Sequence, residues 1–296
     1  MSDGPCASCP DTENENQGAV YNSLPLVSVV IGNWNRLDDL KRAVGSVRKQ
    51  VWPPERTEIV VVDNQSTDGS IEWCRDQEDI RLIITRLDLG ASVMLDTGFM
   101  SSKGQYVLCM DNDAEIAPTY IINAITIFEG WSKGKNFFED VQMVPEIEQY
   151  CKDGYKLGCL TPYMIQQDLK TKDVKPGLYR EDKFDTNIQF HGASCMFLRE
   201  AGDAVGWYNP DYYLYHNEVD MGARLFKKGY LTMYCPMLTS VHHISPTTRV
   251  RPRLLYYGIR HYYWFIWEHL PMSLALYHTA MWVCWSILSA WRYPKT

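Results

Sequence analysis

Two carboxylates one residue apart end an apolar run of the chain, and their type and spacing could hold a divalent metal ion. The stretch YVLCMDNDAE, residues 106–115, passes from apolar residues to Asp111 and Asp113. Mg²⁺ and Mn²⁺ prefer oxygen ligands and are usually held by one or two carboxylates together with substrate phosphates. On this interpretation Asp113 binds the metal and Asp111 binds a hydroxyl of a ribose or a sugar. The alternative is that Asp-Asn-Asp is only a turn that closes a strand.

Alternating strands and helices are predicted around this pair. Near-continuous apolar runs are typical of parallel strands covered on both faces, and right-handed crossovers place such strands in one mostly parallel open sheet. Ligands of these α/β sheets bind beyond the carboxyl ends of the strands. We therefore expect Asn33, Asp63 and the Asp111/Asp113 pair at one edge of the sheet. Strands are predicted at 27–31, 58–63, 81–85 and 106–110, and helices at 37–51, from Ser70, at 92–102 and at 120–131.

Composition and charge exclude some classes of protein. The 296 residues are 46% hydrophobic, which is enough for one large domain or for a domain with an appendage. A formal net charge of −7 argues against nucleic-acid binding, which needs a basic surface. Nine cysteines without framework spacing, and no signal-peptide pattern, indicate reduced thiols and a cytoplasmic location. Residues 1–22 are polar and aperiodic and are predicted to be a disordered leader, in which Cys6 and Cys9 are incidental.

Four motifs in order carry a resemblance to a known family. The segments VSVVIGNWNR, IVVVDNQSTDGS, DLGASVMLDTG and GQYVLCMDND resemble the nucleotide-sugar half of the family 2 inverting glycosyltransferases, whose fold is called GT-A. Further along, HGASCMFLREA, VGWYNPDYYLYHNEVDMGARLFKKGY and CPMLTSVHH are similar to the acceptor half of the rhamnosyltransferase-like members. The resemblance implies a glycosyltransferase domain over residues 23–250, divided into a nucleotide-sugar half (23–115) and an acceptor half (116–250).

The resemblance also implies roles for residues of the donor half. Asn35 and Asp63 match positions that contact the nucleotide base and ribose, and Asp88, Gly90 and Asp96 lie in the segment that approaches the diphosphate and donor sugar.

The metal site implied by the resemblance uses Asp111 and Asp113, which match the family's Asp-x-Asp motif. In the family this motif holds a divalent cation, Mn²⁺ or Mg²⁺, that bridges the two donor phosphates. His242 matches a histidine that often completes the metal ligands in this fold, and His243 could exchange roles with it.

A second acidic cluster, Asn217-Glu218-Val219-Asp220, supplies the candidate catalytic base. Glu218 falls where the family usually has its base, with Asp220 as the second candidate. The alternative is that both acids only favour the dipole of a helix start. The sequence departs from the family pattern at Asn217, where a Glu is usual, and at 94–96, where Met-Leu-Asp replaces a small residue, a polar or basic residue and Asn.

Aromatic residues and one histidine could contact the acceptor. His191 is expected in the cleft that faces the acceptor. An aromatic group could stack on a sugar ring, although such residues are also ordinary core filler. Its members are Trp207, Tyr208, Tyr212, Tyr213 and Tyr215.

The C-terminal segment, residues 251–296, is predicted to be a helical appendage. Arginines at 249, 251, 253 and 260 precede 22 residues, 270–291, that contain no Asp, Glu, Lys or Arg. Three interpretations stay open: an amphipathic segment on an anionic membrane face, a dimer-forming or packed helix, and a true membrane span. A membrane contact would favour a lipid-linked acceptor.

The sequence thus predicts an enzyme that moves a hexose or deoxyhexose from a nucleoside-diphosphate sugar to a hydroxyl of a glycan or lipid-linked glycan. Inversion in one displacement needs a base for the acceptor proton and a cation for the leaving diphosphate. The alternatives are an inactive nucleotide-sugar binding module and a nucleotidyltransferase. The latter is expected to have a Gly-rich basic loop after the first strand, where this chain has GNWNR.

Overall fold

The computed structural model describes residues 23–87, 90–133, 145–168, 173–175, 184–186, 189–244 and 251–292. The predicted leader and Asp88 lie outside these described residues. The strands are β1 (Val27–Asn33), β2 (Thr57–Asp63), β3 (Ile80–Ile84), β4 (Tyr106–Asp111), β5 (Ala114–Ile116), β6 (Lys156–Asp168), β7 (Val174–Lys175), β8 (Asp185–Thr186), β9 (Ser194–Leu198) and β10 (Tyr230–Ile244). The α-helices are α1 (Leu37–Arg48), α2 (Ser70–Arg75), α3 (Gly90–Ser101), α4 (Tyr120–Ser132), α5 (Pro145–Lys152), α6 (Arg199–Val205), α7 (Asn217–Lys227), α8 (Arg251–His269) and α9 (Met272–Arg292).

One twisted sheet runs through the molecule in the order β3-β2-β1-β4-β9-β6-β10-β5. The strands β3, β2, β1 and β4 are parallel, as the apolar runs predicted. The register pairs Asn33 with Asp63 and Gly32 with Asp111, so these strand ends lie side by side. Strand β9 enters antiparallel between β4 and β6, and β10 pairs parallel with β6. The α/β fold class is confirmed, with the purely parallel part confined to the first half.

Helices cover the sheet on both faces. Every residue of β1 is buried, because alternate side chains enter two different apolar clusters. On one face, Leu40, Val44 and Val47 of α1 pack with α4 at helical spacing. On the other face, Phe99 of α3 stacks on Trp207 at a ring-centroid distance of 4.7 Å and packs with α6 and α7. The core therefore fixes the strand ends that carry the predicted site.

The C-terminal helices α8 and α9 form a hairpin beside the acceptor half. Helix α8 is attached to the domain by buried residues, including His261 and Ile266. Helix α9 packs mainly on α8 and leaves large apolar side chains exposed. In the described part of the chain, no helix combines the length and the apolarity needed to cross a bilayer.

Candidate active site

Two carboxylates and an imidazole meet at the carboxyl edge of the sheet. Asp111 ends β4, Asp113 follows in the turn before β5, and His242 lies near the end of β10. The metal-ligating atoms of these three side chains all lie within 4.8 Å of one another. His242 Nε2 is 3.1 Å from Asp113 Oδ1. Two carboxylates with one imidazole suit Mn²⁺ and, with less preference for the nitrogen ligand, Mg²⁺, so the side chains fit the predicted metal.

Hydrogen bonds on three sides hold the loop that carries the acids. The backbone N–H of Asp111 donates to the Ala193 carbonyl oxygen at 2.9 Å, and the N–H of His243 donates to the Asp113 carbonyl oxygen at 2.8 Å. Between the acids, the buried Asn112 donates from Nδ2 to Asn33 Oδ1 at 2.7 Å. The loop is thus a turn, as one interpretation held, and this turn places both carboxylates at the site.

Arg36 contributes a cation that the sequence analysis did not single out. It follows β1, forms an ion pair with Asp113, and its Nε lies 3.6 Å from Asp39 of α1. A guanidinium at this place can also meet a phosphate oxygen, since Arg binds phosphates readily. The sequence offers only a single Arg, in GNWNR, as a signal for this role. Arg is too common for one such residue to be recognised as part of a site before the fold is known.

The two acids titrate differently because their surroundings differ. Burial, and then the negative charge of Asp113, raise the pKa of Asp111 to about 6. Burial also acts to raise the pKa of Asp113, but a hydrogen bond from His242 and the positive charges of His242 and Arg36 bring it below its usual value. One acid is therefore firmly ionised, whereas the other needs a further positive charge to be ionised in acidic solution.

The predicted base and ribose contacts lie at the neighbouring strand ends. Asp63 is fully buried and accepts from Asn33 Nδ2 at 2.7 Å and from the backbone N–H of Ser66 at 2.7 Å. Asn35 has a left-handed backbone (φ 49°), and its Oδ1 accepts from the N–H of Thr67 at 2.7 Å. These bonds join the loops after β1 and β2 into one surface, so both residues at least shape the region where a nucleotide is predicted.

Gly90 and Asp96 tie the donor half to the acceptor half. Gly90 has a φ of 84°, and a Cβ there would lie 2.7 Å from the Tyr213 carbonyl oxygen, so only glycine fits. The Asp96 carboxylate accepts from the backbone N–H of Tyr208 at 3.0 Å. Burial raises the pKa of Asp96 to about 7 against this hydrogen bond. The predicted donor contacts of both residues stay predictions, and Asp88 lies outside the described residues.

A cavity of about 570 Å³ opens beside Glu218. Its lining includes His191, together with Tyr215 and His216 just before α7, and the predicted acceptor role of His191 stays a prediction. Burial, and to a smaller extent the charge of Asp111, raise the pKa of Glu218 to about 7, against a hydrogen bond from the residue's own backbone N–H. A carboxylate of this kind can take a proton near neutral pH.

Gly192 leaves the space that the Glu218 carboxylate occupies. A Cβ at position 192 would lie 2.9 Å from Glu218 Oε1. Any side chain there would push the carboxylate away, because real Cβ atoms do not approach other atoms so closely. The segment His191-Gly192 thus sets the position of the candidate base from the opposite wall.

Asp220 is held on two sides by charged or polar groups. Its Oδ2 accepts from Arg224 Nη2 at 2.7 Å, and its Oδ1 accepts from His269 Nε2 at 2.7 Å. Lys227 Nζ lies 2.9 Å from the other ring nitrogen of His269, which assigns the Nε2 proton to the Asp220 bond. The ligating atoms of Asp220, Glu268 and His269 also lie within 4.8 Å of one another. This fully buried carboxylate fastens the end of α8 to α7.

The aromatic residues of the acceptor half divide between core and cavity. Trp207, Tyr208 and Tyr212 are buried in the core, whereas Tyr215 lines the cavity. Two further aromatic residues of the cavity, Tyr262 and Phe265, come from α8. Sequence reasoning missed them because α8 is an aromatic-rich helix on which only tertiary packing decides which face meets the site.

The mixed α/β sheet, with two acids at its carboxyl edge and Glu218 in a neighbouring cleft, is of the GT-A class that the motifs predicted. Residues 28–131 match the family described as Glycosyl transferase family 2. Over 217 residues the chain is 30% identical to the N-acetylglucosaminyl-diphospho-decaprenol L-rhamnosyltransferase of Mycobacterium tuberculosis, an alignment that covers 64% of this chain and 67% of that protein. The protein therefore belongs to glycosyl transferase family 2, as its motifs predicted.

Other relatives align over shorter parts of their length. The glycosyltransferase AglE of Haloferax volcanii is 26% identical over 113 residues, 37% of each chain. A probable glycosyltransferase of Sulfolobus acidocaldarius is 24% identical over 224 residues, 72% of this chain and 45% of that protein. The chain thus spans between about a third and a half of the length of these relatives.

Solved structures share the fold. The mannosyltransferase PcManGT of Pyrobaculum calidifontis, in complex with GDP-Man and Mn²⁺, superposes with a TM-score of 0.53 at 16% identity and covers 80% of this chain and 65% of its own. S. aureus TarS gives a TM-score of 0.58 at 13% identity, over 84% of this chain and 41% of its own. At these identities the likeness establishes the fold alone.

Proposed function

We propose that this protein transfers a sugar from a nucleoside-diphosphate sugar to an acceptor hydroxyl, with inversion and with a divalent cation. The observation that carries the proposal is that two kinds of group lie close together. The backbone N–H of Asp111 bonds to Ala193, and the nearby Gly192 meets Glu218. On one side lies the cluster of Asp111, Asp113 and His242, which can hold a cation. On the other lies Glu218, whose pKa of about 7 responds to the charge of Asp111.

The residues divide the chemical work between leaving group and acceptor. A divalent ion held by Asp111, Asp113 and His242 would neutralise the charge that grows on the departing diphosphate. Arg36, beside Asp113, adds a fixed positive charge to the same region. Glu218 accepts the proton of the acceptor hydroxyl as the oxygen attacks the anomeric carbon from the face opposite the diphosphate, which inverts that centre.

Relatives and neighbours support this assignment. Among the relatives are proteins named as a rhamnosyltransferase and as dolichol-phosphate mannosyltransferases, and neighbours of the same fold are described with GDP-Man and Mn²⁺ or with UDP. These names concern those proteins. This chain also has side chains that can hold such a metal ion, Asp111, Asp113 and His242. A nucleoside-diphosphate sugar is therefore the class of sugar donor to test first.

Donor turnover tests the proposed function. The purified protein would be incubated with GDP-mannose, UDP-glucose, UDP-N-acetylgalactosamine and dTDP-rhamnose, each with Mn²⁺, with Mg²⁺ or with a chelator. We expect cation-dependent release of the nucleoside diphosphate from one donor. Release of pyrophosphate would favour the nucleotidyltransferase alternative, and binding without turnover would favour the inactive binding module.

Replacing Gly192 by Ala tests the position of the base. The added Cβ displaces the Glu218 carboxylate, so we expect transfer to slow about tenfold or more, as small misplacements of catalytic groups do. Thermal stability should change little, because the group that must move is the end of a flexible side chain. The matched control is Gly45→Ala in α1, where an added Cβ meets no neighbour. An unchanged transfer rate in Gly192→Ala would show that Glu218 does not need this position.

We also propose that α9 contacts the cytoplasmic face of an anionic membrane, which would bring a lipid-linked acceptor to the cleft. Leu276, Met281 and Trp285 of α9 are 53%, 52% and 58% exposed, and an exposed apolar surface of this kind is costly in water. Arginines at 249, 251, 253 and 260 precede α9 in the chain and favour anionic lipids. The described cysteines are all free thiols, which suits a reducing compartment.

Vesicle binding tests this contact. The double variant Leu276→Asp/Met281→Asp should lose binding to phosphatidylglycerol vesicles by at least about tenfold, since each buried Leu or Met contributes about 1.5–3 kcal/mol. Met100→Asp alters a methionine on α3 that is 77% exposed, and it serves as the control. If the wild-type protein does not bind vesicles but forms a dimer that the double variant disrupts, α9 is a dimer surface and the membrane proposal is wrong.

A further inference from the structure

We propose that helix α8 forms one wall of an acceptor subsite in which Tyr262 and Phe265 hold an uncharged sugar ring next to Glu218. The inference rests on the proposed function for the role of Glu218, and it goes further by naming the residues that bind the acceptor and the chemical class that they accept. Both aromatic residues line the same cavity of about 570 Å³ as Glu218, although they lie more than forty positions later in the chain.

The cavity has the size and the walls of a site for a sugar ring. A volume of about 570 Å³ falls within the usual range of small-molecule sites. Aromatic rings provide flat apolar faces on which the C–H face of a sugar packs, while polar groups around them bind its hydroxyls. His216 lines the cavity and can supply such a group. Tyr262 packs edge-on against this histidine at a ring-centroid distance of 6.2 Å.

The charge of the cavity disfavours an anionic group directly beside Glu218. Among its described lining residues there is a carboxylate, Glu218, but no Lys or Arg. Its two histidines, His191 and His216, do not replace a fixed cation, because burial lowers the pKa of both. A phosphate in this cavity would therefore be repelled by Glu218 and would find no Lys or Arg among the described lining residues. A neutral hydroxyl-bearing ring meets no such penalty, and it needs the base that this cavity provides.

Helix α8 is held in place by bonds that make it part of the site. Near its middle, the buried His261 binds the carbonyl oxygens of Leu214 and Tyr215 through Nδ1, at 2.7 and 3.0 Å. At its end, His269 donates to Asp220 of α7. Both bonds join α8 to the segment that carries Glu218, so the aromatic wall and the candidate base keep a fixed relation.

Ligand-observed NMR of simple sugars tests the subsite without knowledge of the natural acceptor. The probes are the phenyl glycosides of glucose, galactose and mannose, with the 1-phosphates of the same sugars as anionic counterparts. The resonances of the full-length protein would be saturated, and the transfer of magnetisation from the protein to each probe would be measured. We expect at least one neutral glycoside to bind and its sugar phosphate to bind more weakly. Stronger binding of the phosphates, or no binding of any neutral glycoside, would overturn the proposal.

Variants connect the binding to the aromatic wall. Tyr262→Ala and Phe265→Ala should each weaken glycoside binding about tenfold, whereas Tyr262→Phe keeps the ring and should bind normally. Tyr256→Ala removes an exposed tyrosine of the same helix and serves as the control. Tyr262 also packs on Trp282 of α9, so folding is checked by circular dichroism. Should Tyr262→Ala unfold, Phe265→Leu, which keeps the apolar volume without the flat ring, decides the question.

The outcomes separate this inference from the proposed function. Glycoside binding that depends on Tyr262 and Phe265, together with no release of nucleoside diphosphate from any donor, would leave the subsite in place and reject transfer. Donor turnover with glycoside binding that is unchanged in both alanine variants would support transfer and reject the subsite.

Discussion

Replacing Glu218 by Gln is expected to abolish sugar transfer while donor binding stays intact. Gln has nearly the same shape as Glu and fills the same space opposite Gly192, but it cannot take a proton from an acceptor hydroxyl. General-base catalysis contributes roughly 10²–10⁴-fold to rates, so we expect kcat to fall by about that factor. The dissociation constant of the sugar donor should change little. The variant leaves unchanged both the cluster of Asp111, Asp113 and His242 and the strand ends where the nucleotide is predicted to bind. Steady-state kinetics and calorimetric donor titration measure the two quantities.

Two controls make this result specific. Glu200→Gln changes a surface glutamate of α6 that pairs with Lys156, and it should leave both quantities unchanged. The melting temperature of Glu218→Gln at pH 8 should equal or exceed that of the wild type, because the folded protein no longer buries an ionised carboxylate. A variant with normal kcat would show that another group is the base.

The pH dependence of transfer should follow the same carboxylate. Glu218 acts only when ionised, and its raised pKa of about 7 places the loss of activity near neutral pH. Below this pKa the rate should fall about tenfold per pH unit, and above it the rate should level off. A cation beside Asp111 would lower the pKa of Glu218, so the midpoint with donor and metal bound should lie at or below about 7. The variant Glu218→Asp has a shorter carboxylate. Its rate should be lower at every pH, but it should still fall as the pH decreases below the pKa of this carboxylate.

The carboxyl edge of the sheet, where the donor is predicted to bind, could be predicted from the sequence because local rules determine it. Parallel strands of similar length end at one edge, so Asn33, Asp63 and Asp111 had to be neighbours once the strands were identified. The hydrogen bonds add what a pattern cannot contain. Asn112, the residue between the acids, binds Asn33, which in turn binds Asp63, so a buried chain of side chains links the predicted metal loop to the predicted nucleotide loop.

The acceptor half was less predictable because its contacts are distant in sequence. Strand β9 enters antiparallel next to β4, and this pairing brings Gly192 against Glu218. Nothing in the local pattern around either residue specifies that approach. The role of α8 depends likewise on tertiary packing, since His261 and His269 reach partners more than forty residues earlier. Propensity predicts such a helix, but it does not predict which face meets the cavity.

The second large effect is expected from Asp113→Ala, which should abolish cation-dependent donor binding. The change removes one of three ligating groups and leaves Asp111 and His242 without the acid between them. It also leaves Arg36 without its ion-pair partner. Metal ions contribute several kcal/mol to such reactions, and each 1.36 kcal/mol is a factor of ten, so turnover should fall by about 10³-fold. Electron paramagnetic resonance of free Mn²⁺ and calorimetric donor titration measure the two losses.

Asp79→Ala is the matched control for this variant. Asp79 lies just before β3, at the opposite edge of the sheet, where it pairs with Arg48 in solvent. The variant Asp79→Ala removes the same charge from the chain as Asp113→Ala does. Any general effect of net charge on the binding of Mn²⁺ or nucleotide should therefore appear in both variants. If Asp113→Ala binds donor and Mn²⁺ as the control does, the cation does not sit between these acids. The growing charge of the leaving diphosphate would then have to be met by Arg36 and His242 alone, and transfer should be insensitive to chelators.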